Sequence, residues 1–350
     1  MYKSYFGLKA SPFNMTPDPD AMFWTPSHRE ALAGLTYAVS YRKGFTVLSG
    51  PAGTGKTTLL RKLLQSSPVP IAASFIYNPT VTPSEFLEMA LTDFGIPRES
   101  CKSKPEQLFQ FEQLLFSLHR EGRIAVLIVD EAHKLSPEVL EEVRLLTNFE
   151  TAEHKLLQIV LAGQPELQDV LNRADLLQLK QRVAANLQTR PLTREEIHQY
   201  LEFRWMKTGG DQPLPFSKEA IELIYDCSGG IPRVINGICD NALVSAYGAD
   251  RKTVGREDIR EVARDLALQV PVDEAPNEVV TVSANADVPT KVEAPILPLL
   301  ELQTANQLSG FIKIPFRTEE QERIEPRPSL FGRMADRFRI RFGRSAEIAE

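Results

Sequence analysis

The stretch Gly50-Pro51-Ala52-Gly53-Thr54-Gly55-Lys56-Thr57 matches the pattern G-x-x-x-x-G-K-[ST] at every fixed position. Such a loop needs glycines because its backbone N–H groups turn inward around phosphate oxygens, where side chains would collide. Lys56 is expected to face the β- and γ-phosphates, and the hydroxyl of Thr57 to reach a magnesium ion. The stretch therefore predicts a nucleoside triphosphate site. The residues expected to contact ATP are Gly50, Pro51, Ala52, Gly53, Thr54, Gly55, Lys56, Thr57 and Thr58.

A second motif, Ala125-Val126-Leu127-Ile128-Val129-Asp130-Glu131, is an apolar run that ends in two carboxylates. Beside a phosphate loop, Asp130 is expected to hold the magnesium ion, directly or through water. Glu131 is expected to polarise the water that attacks the γ-phosphate. The pair predicts hydrolysis of ATP in addition to binding.

Short apolar runs alternate with amphipathic helical stretches around these motifs. Continuous apolar strands separated by helices predict an α/β fold, in which helices cover both faces of a parallel sheet. Strands are predicted at 45–48, 71–77, 124–129, 156–161 and, more weakly, 185–189. Helices are predicted at 26–42, 57–65, 83–94, 105–121 and 137–147, and after the last strand at 195–206, 218–227, 232–247 and 257–268.

The domain organisation follows from this pattern. A P-loop ATPase core is predicted at 1–192, with residues 1–25 as an extended wrapping segment and Ser27 as the cap of the first long helix. A helical lid domain is predicted at 193–270. Residues 271–328 mix Pro, Val, Ala and Glu without periodicity, which is typical of a disordered linker.

The tail, 329–350, is predicted to form a basic amphipathic helix. Its apolar stripe includes Phe331, Phe338 and Phe342, and five arginines surround the stripe. This pattern favours peripheral contact with a membrane surface through 329–344, or docking to a protein partner. A solvated tail with incidental periodicity is the alternative.

The composition sets limits on location and partners. The net charge of −6 gives no reason to expect broad nucleic-acid binding, although a local basic patch would still allow it. There is no signal peptide and no apolar stretch of about 18 residues, so a cytoplasmic protein is expected. Cys101, Cys227 and Cys239 match neither a disulfide framework nor a zinc pattern, which agrees with a reducing compartment.

Three further polar residues are candidates for catalytic roles. Gln164 follows the fourth strand and could sense the γ-phosphate, or could belong to an ordinary loop-to-helix turn. Arg182 precedes the fifth strand and could act as an arginine finger toward a neighbouring subunit, or could be a solvated surface charge. Arg233 opens a lid helix and could contact the γ-phosphate, or could simply be a charge at a helix start. His133 completes the letters DEAH, but the helicase motifs that would accompany them are missing, so at most a modulatory role is expected.

With these residues in place, the chain resembles the AAA+ ATPases of the ExeA/GspA type, the general secretion pathway protein A family. The similarity covers approximately residues 1–270 and is carried by several short stretches. They are Tyr5-Phe6-Gly7-Leu8, Pro12-Phe13, Thr16-Pro17-Asp18-Pro19, Ser27-His28-Arg29-Glu30-Ala31-Leu32, Gly163-Gln164-Pro165-Glu166-Leu167, Gln181-Arg182, Arg190-Pro191-Leu192 and Gly230-Ile231-Pro232-Arg233-Val234-Ile235-Asn236.

The resemblance implies an AAA+ core with a helical lid, sensor roles for Gln164 and Arg233, and a finger role for Arg182. It also implies assembly into a homo-oligomer, because the finger acts in trans. Members that work in secretion often continue into a transmembrane helix and a periplasmic part, which are not found here, so direct action on the cell wall is not expected.

Three functions follow from the sequence. The first is an ATPase that drives assembly or regulation of a bacterial cell-envelope machine for secretion, pili or exopolysaccharide, through an unidentified protein partner. The second is a DNA-associated ATPase similar to transposition regulators or initiators. The third is a nucleotide-dependent scaffold with very slow hydrolysis, against which the intact pair Asp130-Glu131 argues.

Overall fold

The computed structural model describes residues 2–16, 18–77, 80–97, 103–210 and 213–271. Within these ranges, five parallel strands form one sheet in the order β2-β3-β4-β1-β5. The strands are β1 (Phe45–Ser49), β2 (Ile71–Ile76), β3 (Ile124–Val129), β4 (Leu157–Gly163) and β5 (Val183–Gln188). The predicted parallel sheet is therefore confirmed. β5 begins two residues before the predicted run, and its alternating burial and two exposed polar residues, Asn186 and Gln188, weaken the apolar pattern.

The central strands explain why the apolar runs are continuous. Every residue of β3 and of β4 is buried, since helices cover both faces of the sheet. On one face, α2 (Pro26–Ser40) and α3 (Lys56–Ser66) pack with residues such as Leu35 and Leu59 in the core. The other face is covered mainly by α4 (Pro83–Asp93), α5 (Lys104–Arg120), α6 (Pro137–Leu146), α7 (Glu166–Leu171) and α8 (Leu177–Lys180).

The cap of α2 differs from the prediction. Thr25, and not Ser27, is the N-cap, and its side-chain oxygen accepts a hydrogen bond from the backbone N–H of His28. Pro26 follows at the first helical position, where a missing N–H costs nothing, so the helix begins two residues earlier than a cap at Ser27 would allow. The Ser27 hydroxyl instead donates to the carbonyl of Gln188, at 3.3 Å.

After β5 the described chain is helical. The helices are α9 (Arg194–Lys207), α10 (Lys218–Ser228), α11 (Pro232–Gly248) and α12 (Arg256–Asp265). They share a separate apolar core that includes Leu201, Leu223 and Ile238. The backbone N–H of Leu192 donates to the carbonyl of Gly230 at 2.8 Å, so the connection from β5 is fastened to the turn before α11. We call these four helices the lid; the boundary at 192/193 stays a prediction.

The first residues of the chain pack against the lid. We call residues 2–16 and 18–25 the strap; it contains α1 (Tyr2–Tyr5) and a short 3₁₀ helix, Pro19–Ala21. Phe6, Leu8 and Phe13 are buried in the same core as the lid helices. The apolar residues of the strap therefore pack in the lid core; the wrapping role of residues 1–25 stays a prediction.

Several predictions fall on residues outside the described ranges. These are the linker at 272–328, the basic tail at 329–350 and the thiol of Cys101. Cys227 and Cys239 are both free thiols. Among the helices that the structure describes, none combines the length and the apolar composition that a membrane span requires.

Candidate functional site

Residues 50–55, which we call the phosphate loop together with Lys56 and Thr57, connect β1 to α3 at the carboxyl end of the sheet. Gly53 has a φ of +79°, and a Cβ placed on it would lie 2.7 Å from the Cβ of Arg233. At Gly50, a Cβ would lie 2.1 Å from the Oγ1 of Thr189. These positions need glycine because the loop turns tightly between the residue after β5 and the first turn of α11.

Lys56 closes over the inside of the loop. Its Nζ donates to the carbonyl of Gly50 at 2.7 Å and to that of Pro51 at 3.0 Å, and the residue is buried. Burial lowers the pKa of the Lys56 ammonium, and the negative charges of Asp130 and Glu131 partly oppose this shift. The ammonium is thus held at the loop by carbonyl oxygens that a phosphate would replace.

Asp130 lies at the end of β3, next to the start of α3. The Thr57 hydroxyl donates to its Oδ2 at 2.6 Å, and its Oδ1 accepts the backbone N–H of Glu131 at 2.9 Å. A hydroxyl and a carboxylate in contact form an oxygen donor pair, which suits Mg²⁺ held partly through water. The residues that sequence analysis assigns to the metal are therefore adjacent, and their chemistry fits the ion.

Glu131 has an unusual backbone conformation. Its φ of +54° lies in the left-handed region, which costs free energy for a residue with a side chain and marks many functional sites. The Glu131 carboxylate lines the groove beside the phosphate loop. Oε2 of Glu131 lies 3.6 Å from Nζ of Lys134 and 3.8 Å from Nε2 of His133.

Gln164 follows β4 and contacts the region of Glu131 through His133. The backbone N–H of Gln164 donates to Nδ1 of His133 at 3.4 Å, and its amide lies 3.2 Å from Nε2 of the same ring. His133 itself belongs to a short 3₁₀ helix, Ala132–Lys134, after β3. Sequence analysis gave His133 a modulatory role at most; the structure brings its ring between Gln164 and Glu131.

Arg233 lines the same groove as the phosphate loop. It is the second residue of α11, directly after Pro232, so the lid presents it to Gly53. Strap and lid form the rest of the groove wall away from the loop. The wall residues include Asn14, Met22, Phe23, Tyr200, Arg204 and Asn236.

Tyr200 and Asn236 form a buried polar pair in this wall. The Tyr200 hydroxyl donates to Oδ1 of Asn236 at 2.6 Å, and Nδ2 of Asn236 donates to the carbonyl of Asn14 at 3.3 Å. Burial raises the pKa of Tyr200 to about 12. The pair links two lid helices to the strap.

Known proteins with similar sequences support the resemblance to the ExeA/GspA type. Residues 39–171 match the family described as AAA domain. General secretion pathway protein A of Aeromonas hydrophila is 40% identical over 275 residues. The resemblance to the AAA+ proteins of the ExeA/GspA type is therefore confirmed. The matched region covers 76% of this chain and 49% of that protein, so the chain spans about half the length of this relative.

Solved structures show the same AAA+ fold. Cdc6p from Pyrobaculum aerophilum has a TM-score of 0.59 at 22% identity, covering 73% of this chain and 70% of that chain. ORC2 from Aeropyrum pernix, solved as ADPNP-ADP complexes, has a TM-score of 0.56 at 16% identity, with coverages of 73% and 72%. At these identities the likeness concerns the fold alone. AAA+ proteins are nucleotide-binding P-loop proteins, and nucleotide hydrolysis is general in the family.

Arg182 is not among the residues that line the groove beside the phosphate loop. Its Nη1 donates to Oδ1 of Asn148 at 2.6 Å and to the carbonyl of Arg144 at 3.3 Å, and it also contacts the Thr147 hydroxyl. The side chain is therefore held against the last turn of α6 within the chain. Its role toward a neighbouring subunit stays a prediction.

Sequence analysis missed the role that His28 has in the geometry of this AAA+ site. Its Nε2 lies 2.9 Å from the carbonyl of Thr54 in the phosphate loop, and its Nδ1 lies 2.9 Å from the Thr25 hydroxyl. Burial lowers the pKa of His28. The residue lies in the stretch Ser27-His28-Arg29-Glu30-Ala31-Leu32, which carried only a family resemblance, because a contact 26 positions away leaves no local pattern.

Proposed function

We propose that this chain is an ATPase that hydrolyses ATP to ADP and phosphate with Mg²⁺. The observation that carries this proposal is the contact of 2.6 Å between the Thr57 hydroxyl and Oδ2 of Asp130. This contact joins the first turn of α3 to the residue after β3, and Glu131 directly follows Asp130 in the sequence. The loop, Thr57 and Glu131 line one groove, which supports a phosphate site, a metal site and a base close together.

Binding is proposed to use the loop itself. The backbone N–H groups of Ala52, Gly53 and residues 55–58 surround the phosphates, because Pro51 has no N–H and that of Gly50 donates to the carbonyl of Gly163. The N-terminus of α3 adds its dipole. Lys56 moves from the carbonyls of Gly50 and Pro51 to the β- and γ-phosphates. Thr57 and Asp130 hold Mg²⁺, which neutralises charge on the transferred phosphate when it is bound.

Hydrolysis is proposed to depend on Glu131. Its carboxylate orients a water molecule and accepts the proton as the water attacks the γ-phosphate. Gln164 acts as a sensor of that phosphate, and Arg233 brings the lid onto it. Arg182 serves as a finger for the nucleotide of a neighbouring subunit, which requires a homo-oligomer.

The cellular role is proposed from the relative. General secretion pathway protein A is named for secretion, and the match covers 76% of this chain. We propose that this ATPase oligomerises in the cytoplasm and drives assembly or regulation of an envelope machine through a protein partner. Peripheral contact of residues 329–344 with the inner membrane, after a linker at 271–328, belongs to the same proposal.

The chemistry is tested with two variants and matched controls. Lys56→Ala should lose binding of a fluorescent ATP analogue, whereas Lys62→Ala on the same helix should keep it. Glu131→Gln should bind the analogue as the wild type does and lose hydrolysis by roughly 100-fold or more, because a positioned base contributes that much. Glu138→Gln is its control. Wild-type turnover in Glu131→Gln would refute the assignment of the base.

The alternative, a DNA-associated ATPase, is tested by salt dependence. Phosphate contacts release counterions, so specific use of DNA would give a steep fall in affinity for duplex DNA with rising salt. The secretion proposal expects no measurable duplex binding at physiological salt. Sedimentation with Mg²⁺ and a slowly hydrolysed ATP analogue tests the homo-oligomer.

A further inference from the structure

His28 connects the strap and α2 to the phosphate loop. A carbonyl oxygen only accepts hydrogen bonds, so the contact of 2.9 Å between Nε2 and the Thr54 oxygen places the ring proton on Nε2. In the neutral ring, Nδ1 is then an acceptor, and the Thr25 hydroxyl donates to it. Both ring nitrogens are thus used, and His28 is almost wholly buried.

The direction of the Thr54 carbonyl fixes the direction of the next N–H. In a trans peptide, the C=O of Thr54 and the N–H of Gly55 lie in one rigid plane and point in opposite directions. Because His28 holds the carbonyl outside the loop, the Gly55 N–H is directed to the side where a phosphate binds. A rotation of this peptide would aim a carbonyl oxygen at the phosphate, and the two would repel each other.

The loop is held from a second side through the Thr54 side chain. The Thr54 hydroxyl contacts Oγ1 of Thr189 at 2.8 Å and donates to the carbonyl of Pro51 at 2.8 Å. Those contacts fix where Thr54 lies. They do not fix the orientation of the peptide plane between Thr54 and Gly55. That orientation depends on the hydrogen bond between the Thr54 carbonyl and His28.

His28 is itself held in place. Thr25 caps α2 through the backbone N–H of His28, at 3.2 Å. Ser27 donates to the carbonyl of Gln188, so the first turn of α2 is fastened to the end of β5. The imidazole therefore projects from a fixed helix start next to the loop.

We propose that His28 is a positioning residue for nucleotide binding, whose ring N–H keeps the Thr54 carbonyl turned away from the phosphate and the Gly55 N–H turned toward it. The proposal rests on the proposed function of the loop as an ATP site. It concerns a residue outside the phosphate-loop motif, on a different element of the fold.

Two substitutions by neutral amides test the ring N–H. In His28→Gln the amide nitrogen reaches the position of Nε2, so binding of a fluorescent ADP analogue should stay within about threefold of the wild type. In His28→Asn the amide reaches only the position of Nδ1. The Thr54 carbonyl then loses its partner, and the dissociation constant should rise roughly 5- to 100-fold. His198→Asn, on an exposed face of α9, is the matched control.

Kinetics separate positioning from chemistry. Because His28 acts on binding in both the ground state and the transition state, His28→Asn should raise KM while kcat changes less than about threefold. Equal binding by His28→Asn and wild type would overturn the proposal, and so would equal losses in the Gln and Asn variants.

A second pair keeps the test valid if His28→Asn does not fold. Thr25→Val removes the hydroxyl that orients the ring, and Thr25→Ser keeps it. Thr25→Val should weaken analogue binding several-fold and Thr25→Ser should not; equal binding by the two would overturn the proposal. Loss of binding in Lys56→Ala shows that the loop is the ATP site. If Lys56→Ala binds normally, the proposed function fails, which is distinguishable from failure of His28 alone.

Discussion

Replacement of Gly53 by alanine should destabilise the protein even without nucleotide, because the new methyl group meets the lid. At a φ of +79°, a residue with a Cβ costs about 1–2 kcal/mol relative to glycine. The Cβ would also lie 2.7 Å from the Cβ of Arg233 and 3.0 Å from Cγ2 of Ile231. Overpacking of this kind costs about 1–3 kcal/mol. The free energy of unfolding should therefore fall by roughly 2–5 kcal/mol.

Urea unfolding of the nucleotide-free protein, followed by tryptophan fluorescence, measures this loss. The chain has two tryptophans, Trp24 in the strap and Trp205 in the lid, so the signal reports the elements that meet at the loop. Gly237→Ala is the matched control. Its Cβ meets nothing within 4 Å, and alanine in a helix should add about 0.5–1 kcal/mol.

A double-mutant cycle isolates the part of the loss that comes from the lid. Arg233→Gly removes the closer of the two atoms that the new methyl group would meet, so Gly53→Ala should cost less in that background, by up to about 3 kcal/mol. Strict additivity of the two substitutions would refute contact between the loop and α11. An unchanged urea midpoint for Gly53→Ala alone would refute the whole reasoning.

Three more outcomes are expected. The pKa of Tyr200 is raised from 10.0 to about 12, so the folded state keeps the proton that the unfolded state loses. The stability that this shift contributes is full below pH 10 and should be lost as the pH rises past 12. Wild type should then lose roughly 2–3 kcal/mol more than Tyr200→Phe, measured by urea unfolding across pH. Arg182→Ala should lower kcat of the oligomer by roughly 1000-fold if the arginine acts as a finger, while ATP-analogue affinity stays within about threefold; unchanged kcat would exclude that role. Phe13→Ala should lower the free energy of unfolding by about 3–5 kcal/mol, because the ring is fully buried in the lid core. Met15→Ala, at an exposed side chain of the same strap, should lower it little.

Much of the sheet could be predicted because burial leaves a local trace in the sequence. β3 is buried at all six positions, and its sequence is an unbroken apolar run. The first and last residues of α4 and α6 agree with the predicted bounds to within one residue. Each helix begins at a proline that follows a capping threonine or serine, which marks its start in the sequence. The phosphate loop, Asp130 and Glu131 could also be selected from the sequence as candidates, since the proposed chemistry requires fixed residue types at fixed spacing.

The cap of α2 shows where local reasoning fails. Both Thr25 and Ser27 carry a hydroxyl that can cap a helix, and Glu30 three positions after Ser27 favours the wrong one. The structure uses Thr25 because Pro26 takes the first helical position, and because Ser27 has a partner at Gln188, far along the chain. The choice between two equivalent hydroxyls is thus made by a tertiary contact.

The contacts around the groove depend on such long-range pairings throughout. Arg204 donates to the carbonyl of Pro12 at 2.6 Å and to that of Asn14 at 3.2 Å, across about 190 positions. A backbone carbonyl acceptor exists at every residue, so nothing in the sequence marks Pro12 or Asn14 as the partner. The same holds for Thr54, whose carbonyl is bound by His28. The motif indicates which residues touch phosphate because the ligand imposes their types, whereas the side chains that orient the motif bond to its backbone and can be found only in the fold.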